Sequence, residues 1–323
     1  MLSKSLKTII NCAFPGGEKA KLNILIFHQI HKTKRKMFIN SDIDEKDFLW
    51  QMKLLKTYFN ILDFNDAILK LKAGKLPSRS VVITFDDGYH DNFDVAFPIL
   101  SSLDIPATFF IATGFLNGGI MWNDKIIFSI DKTTKTYLDL SDYDLDKYNI
   151  DSDINKSKTI VSLVSKIKYK SPDFRDYISN RVLDILNITP PTNRMMTDNQ
   201  IVELANNGMT IGAHTVTHPI LSSLDNETAY NDIKDSKHYL ENLINKPIKY
   251  FAYPNGRPGI DYKYQHVEMV RNIGFDASVS TSYGTSNKYT DIYQLPRFTP
   301  WDQGFIKYLT RLYINTKTIP IFS

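Results

Sequence analysis

The sequence predicts an α/β fold: a barrel of about seven parallel strands with an inserted, mainly helical subdomain. A flat doubly wound sheet is the alternative arrangement of the same elements. Three observations lead there. Seven short segments are mostly apolar and rich in β-branched or aromatic residues, the pattern of parallel strands covered on both faces. Helical patterns lie between several of them. Polar, reactive residues gather late in these segments, and the C-terminal strand ends form the active face of a parallel barrel.

Residues 1–20 read as an N-terminal helical segment, and "LSKSLKTII" within it is basic and amphipathic. The barrel domain spans 21–323. Its first strand is "NILIFH" (23–28), ending on His28. "DEKDFLWQMKLLKTYF" then places Phe48, Met52, Leu55 and Phe59 on one helical face, with Asp44 as its cap. "VVITFDD" (81–87) and "ATFFIAT" (107–113) are the next strands. Residues 117–196 break the rhythm. They are dense in Asp, Lys and Tyr, then turn helical through "KTIVSLVSKIKY" and "FRDYISNRVLDIL", and we read them as a subdomain inserted over the barrel mouth. "DNQIVELANNG" is a helix closed by a glycine. "TIGAHT" (210–215) follows, then a helix with Ile233, Leu240 and Leu243 on one face. The last strands are "YFAYPN" (250–255), "DASVST" (276–281) and "QLPRFT" (294–299), the last carrying Arg297. The final helical stretch spaces Phe305, Leu309 and Leu312 along one side. It reads as a packed barrel helix; peripheral contact with an anionic membrane is the sharper alternative.

Composition narrows the function. The chain has 323 residues, 42% hydrophobic and 23% charged, as expected of a globular protein with a sizeable core. A net charge of +4 gives no footprint for nucleic acid. The single cysteine, Cys12, excludes an intrachain disulfide. The N-terminal apolar run is short and interrupted by Lys7 and Asn11, so a secretory signal is not expected and a cytoplasmic location, at most at the inner face of the membrane, is.

The chemistry centres on two motifs. "TFDDGY" sets Asp86 beside Asp87 at a buried strand end, and adjacent carboxylates there are costly unless something compensates. "HTVTHP" carries His214 and His218, a spacing that can bring both imidazoles to one ion. Two histidines and one carboxylate make a three-ligand site with positions left open. One aspartate completes the set, and the other can take a proton from water.

These residues carry a resemblance. "TFDDGY" followed by "HTVTHP", with "ILIFHQI", "PATFFIAT", "FAYPNG" and "LPRFTPWD" in the same order, resembles the polysaccharide deacetylases, carbohydrate esterase family 4, over residues 21–300. The resemblance implies a distorted (β/α) barrel of seven strands that removes N-acetyl groups from sugar polymers. It implies one divalent ion on Asp87, His214 and His218, with Asp86 as general base. Zinc is expected from the ligand types, while cobalt, nickel or iron would suit the same set. A backbone N–H near Tyr253 is expected to stabilise the oxyanion.

The sequence departs from the family pattern at two places. The third motif usually opens with Arg and here has Ala252; the fifth often contributes a His and here has none. Two expectations follow: Arg297 replaces the missing Arg and orients Asp86, and His28 supplies the general acid. Tyr253, Pro254 and Asn255, with Trp122 and Trp301, are the candidate substrate-contacting residues. Asp124 either caps a helix or touches substrate. His31, His238 and His266 are expected away from the site, and His90 at an exposed rim. The expected substrate is an N-acetylated saccharide of a surface polysaccharide or its lipid-linked precursor. The alternatives are a sugar-binding domain that has lost turnover and a different metal hydrolase, acting on an ester or phosphate.

Overall fold

The computed structural model describes residues 2–33 and 43–323. Helix α1 (Leu2–Ala13) leads into β1 (Asn23–Phe27), β2 (Ile30–His31), β3 (Ile43–Asp44) and α2 (Glu45–Tyr58). Asp44 caps α2 by accepting from the N–H of Asp47 at 2.8 Å, and Phe48, Met52 and Leu55 form the buried face. Next come β4 (Asn60–Ile61), α3 (Phe64–Lys72), β5 (Ser80–Phe85), α4 (Phe97–Ser102) and β6 (Thr108–Ile111). The insertion holds α5 (Trp122–Lys132), a hairpin of β7 (Tyr137–Asp139) and β8 (Lys147–Asn149), α6 (Asp153–Ile167) and α7 (Pro172–Leu186). The barrel resumes with α8 (Asp198–Asn206), β9 (Thr210–Ala213), α9 (Asn226–Ile244), β10 (Tyr250–Ala252), α10 (Tyr264–Ile273), β11 (Ala277–Val279) and α11 (Phe305–Asn315). Helix α8 opens on a capping box between Thr197 and Gln200, and Gly208 just beyond its end has φ +82°.

Seven of the described strands form one parallel sheet in the order β1-β5-β6-β9-β10-β11, with β4 alongside the start of β5, while β2 pairs with β3 and β7 with β8. The sheet curls into a distorted (β/α) barrel. The segment expected as the seventh strand, 294–299, is not one. Leu295 bridges Val279 of β11, and Phe298 bridges Leu25 of β1, so an irregular stretch closes the barrel. Pro296 between them has no N–H to donate, which prevents a continuous ladder. The β9–β10 junction is also thin, with Phe251 opposite Ala213 as its one registered pair.

Alternation along the strands sorts the core into two. Leu25, Phe27, Ile83, Phe85, Phe109 and Ala213 belong to the cluster under the outer helices, where Phe85 stacks on Phe109 at 4.8 Å. Ile24, Val82, Phe110, Ala252 and Val279 fill the interior, with Phe64 and Leu71 of α3 packed against them. The insertion has a separate core, including Ile126, Leu138, Leu163 and Val182. In α11, Tyr308 and Leu312 are buried, with Phe305 and Leu309 packed at the core's edge. Among the described residues, no helix is long and apolar enough to cross a membrane.

Candidate metal centre

Strand parity builds the site. Phe27, Phe85 and Ala213 face the outer helices, so the next residues, His28, Asp86 and His214, turn into the barrel mouth. Asp86 is 2% exposed and clamped by Arg297 through two 2.6 Å bonds, one from each Nη to each carboxylate oxygen. Arg297 is itself fixed: its Nε donates to the Ser280 carbonyl at 3.0 Å, Nη1 to Thr84 Oγ1 at 3.2 Å, and its guanidinium lies 5.6 Å from the Phe110 ring centre. Burial alone would raise the Asp86 carboxyl, but Arg297 and then His214 outweigh it and hold it below the usual range.

Asp87 faces a different partner set. Its Oδ1 lies 3.4 Å from Nε2 of His214 and 3.3 Å from Nε2 of His218. The turn that presents it is strained, with φ +77° at Asp87 and +88° at Gly88; only the second suits its residue. His214 donates from Nδ1 to the Ala252 carbonyl at 2.7 Å, because a carbonyl can only accept, and this leaves Nε2 free to act as a ligand. The loop to His218 is held by Asp232 of α9, which accepts from the N–H groups of Val216 and Thr217 at 2.7 and 3.2 Å. Thr215 Oγ1 accepts from the His218 N–H at 3.1 Å. The two imidazoles meet edge to face, 4.8 Å between centres.

These donors fit a divalent cation. One ligand atom each from Asp87, His214 and His218 lies within 4.8 Å of the others, and among the described residues this is the group of that kind. Asp87 Oδ1 is buried without a hydrogen-bond partner in the protein, at the point where both Nε2 atoms converge. The set of two imidazoles and one carboxylate suits zinc or a similar ion and leaves coordination positions open. Burial first, countered by the charge of Asp87, lowers His218 to about 4; His214 is raised by Asp86 and Asp87 in spite of its burial.

The other expected residues divide. His28 is half-buried, and its carbonyl accepts from Asn92 Nδ2 at 2.6 Å. Pro254 and Asn255 form the corner after β10, with Asn255 at φ +58° and its carbonyl accepting from Thr281 Oγ1 at 2.6 Å. Tyr253 is not a substrate contact. By strand parity it faces outward, fully buried, its ring stacked 3.8 Å from Tyr262 and its hydroxyl donating to the Tyr293 carbonyl. Its N–H is used as well, donating to the Val279 carbonyl at 3.2 Å, so it cannot serve an oxyanion. Trp122 packs on the insertion's core with Arg175 over its ring at 5.4 Å. Trp301 is half exposed; its ring contacts are Arg311 at 4.4 Å and Phe298 at 5.8 Å, on the outer-helix side. His90 pairs with Asp94 at 2.9 Å, and His266 is a buried cap that accepts from the Lys263 N–H. Asp232 and Arg194 escaped the sequence reading. Neither adjoins a motif, and only the fold brings them there.

A parallel barrel thus carries at its mouth a carboxylate–imidazole triad suited to a divalent ion and, beside it, a second carboxylate clamped by arginine. The family profile "Polysaccharide deacetylase" matches residues 73–175 and 177–278, and the chain belongs to that family. YxkH of Bacillus subtilis (strain 168) is 24% identical over 280 residues, covering 86% of this chain and 71% of YxkH. The poly-beta-1,6-N-acetyl-D-glucosamine N-deacetylase of Staphylococcus aureus (strain MSSA476) is 31% identical over 115 residues, 31% of this chain and 40% of that enzyme. In fold the chain is similar to the Streptococcus pyogenes deacetylase PplD in complex with acetate. The TM-score is 0.58 at 21% identity, over 87% of this chain and 92% of that one.

Proposed function

We propose that this chain is a metal-dependent N-deacetylase that hydrolyses the N-acetyl groups of amino sugars in a surface polysaccharide or its precursor. The observation that carries the reading is the division of labour between adjacent carboxylates. Asp87 faces two imidazole nitrogens, whereas Asp86 is gripped by Arg297 and faces the same space, its Oδ2 3.8 Å from His214 Nε2. The names of the staphylococcal relatives support N-acetylglucosamine polymers as the substrate class.

Asp87, His214 and His218 would hold a divalent ion, which would supply Lewis acidity to an acyl carbonyl and lower the pKa of water. The chain's residues do the rest. Asp86, kept ionised by Arg297, accepts the proton of the attacking water. Arg297 uses both its Nη groups on Asp86, which fixes the carboxylate plane and leaves its remaining lone pairs for that proton. As the carbon–nitrogen bond breaks, the amine must gain a proton, and we assign that proton to His28, which follows β1 directly. The products are acetate and the free amino sugar.

Acetate release from N-acetylglucosamine oligomers by zinc-loaded protein tests this reading. Asp86→Asn should keep its ion and lose about 10²–10⁴-fold in turnover, as for removal of a general base. His214→Ala should lose both ion and activity, and His28→Asn should slow turnover with its ion in place. Absence of acetate with the wild-type protein would refute the reading; unchanged turnover in His28→Asn would remove His28 as the acid.

A further inference from the structure

The end of the insertion joins the turns at the barrel mouth. Its last residues run antiparallel to the turn that presents Asp87: His90 N–H donates to the Arg194 carbonyl, and Met196 N–H to the Gly88 carbonyl, both at 2.9 Å. The Arg194 side chain reaches further. Its Nη2 donates to Gln29 Oε1 at 2.9 Å and lies 3.4 Å from Asp124 Oδ1 of α5, and its guanidinium sits 5.7 Å from the Tyr89 ring centre. Gln29, Tyr89 and Asp124 are each less than a tenth exposed. Gln29 directly follows His28, and Tyr89 lies two residues beyond Asp87. One residue of the insertion therefore grips both the loop after β1 and the loop after β5.

That grip meets a need. His28 Nδ1 is buried and has no hydrogen-bond partner in the protein, so the ring does not anchor itself. Its placement depends on the segment it hangs from, held by Asn92 at the His28 carbonyl and by Arg194 at the Gln29 side chain. Burial raises the Asp124 carboxyl, and Arg194 beside it works against that rise, so the pair closes the cluster from the α5 side.

We propose that Arg194 is a positioning residue that sets His28 against the Asp86–Asp87 turn, making the insertion a working part of the site. The role of His28 as acid rests on the deacetylase reading; the placement of its ring does not. With a proton donor displaced by about an ångström, a loss on the order of 10²-fold in rate is expected.

The test uses the full chain with Arg194→Ala and Arg194→Lys. In Arg194→Ala, kcat should fall about 10²-fold, with KM and zinc affinity unchanged and partial recovery on adding guanidinium. Arg194→Lys, which keeps the charge but not the fork, should lose less. The His28 ring signals in ¹H–¹³C NMR, assigned by their absence in His28→Asn, should shift and broaden, while those of His238 and His266 stay. An unmoved His28 signal would overturn the proposal. So would a raised KM at constant kcat, which would make Arg194 a substrate contact, or lost zinc, which would make it support for the turn alone. If Arg194→Ala does not fold, Arg194→Lys carries the same readouts. Should the wild type release no acetate, the deacetylase reading falls, and the His28 signal still decides the position of the ring.

Discussion

The barrel and the insertion are each built on a closed apolar core, yet they present polar groups in different ways. In the barrel, the strand that fills the core also carries the chemistry, because successive side chains alternate: Phe27 then His28, Phe85 then Asp86, Ala213 then His214. In the insertion, α5, α6 and α7 bury one face each around Leu163 and Val182, and their polar residues turn mainly to solvent. Its contribution to the site comes from its two ends, Asp124 and the segment 194–196. A strand can pack and present at once, whereas an inserted helical unit acts through its attachment points.

The largest effect expected on this contrast is at Arg297. Arg297→Met leaves Asp86 buried without its partner. Breaking a buried ion pair costs about 3–5 kcal/mol, so chemical denaturation should show a loss of that order, and acetate release should be abolished. A variant with wild-type stability would mean that barrel chemistry and barrel packing are separable at this residue. A middle-sized effect is expected in the insertion. Leu163→Ala should destabilise by about 2–5 kcal/mol through the cavity it leaves, without changing zinc affinity. Zinc affinity falling in step with stability would merge the two regions into one cooperative unit.

The third effect expected is a pH dependence at the start of α10. His266 accepts the Lys263 N–H on Nδ1, which requires a neutral ring, and burial lowers it from 6.5 to about 4. Between those values the unfolded chain binds a proton that the folded chain does not. Stability should therefore fall as pH drops from 6.5 towards 4, with no further contribution below. Melting temperature against pH should show a shallower slope in His266→Asn than in the wild type over that interval.

Much of the fold was legible because its signals are local. Apolar β-branched runs, the Asp44 cap and the glycine after α8 need no knowledge of neighbours. The misread elements share one cause, which is that facing depends on parity and partners. Tyr253 looked like a rim residue because it is polar and late in a strand, but it stands one step out of phase with Ala252 and packs outward on Tyr262. The stretch 294–299 has strand composition, yet Pro296 breaks the ladder between the two neighbours it must bridge. Trp122 suited a sugar platform by type and is half-buried against the insertion's core.

By itself the sequence determined most element types, the alternation of parallel strands and helices and the residue classes gathered at the strand ends, since hydrophobic period and side-chain chemistry are written in neighbouring letters. Only the tertiary structure decided that Arg297 grips Asp86 with one Nη on each carboxylate oxygen, that His214 aims Nε2 inward because Ala252 takes its other nitrogen, and that Arg194 ties two loops together. Such pairings form between residues tens to hundreds of positions apart, and closure of the sheet is what brings them into contact.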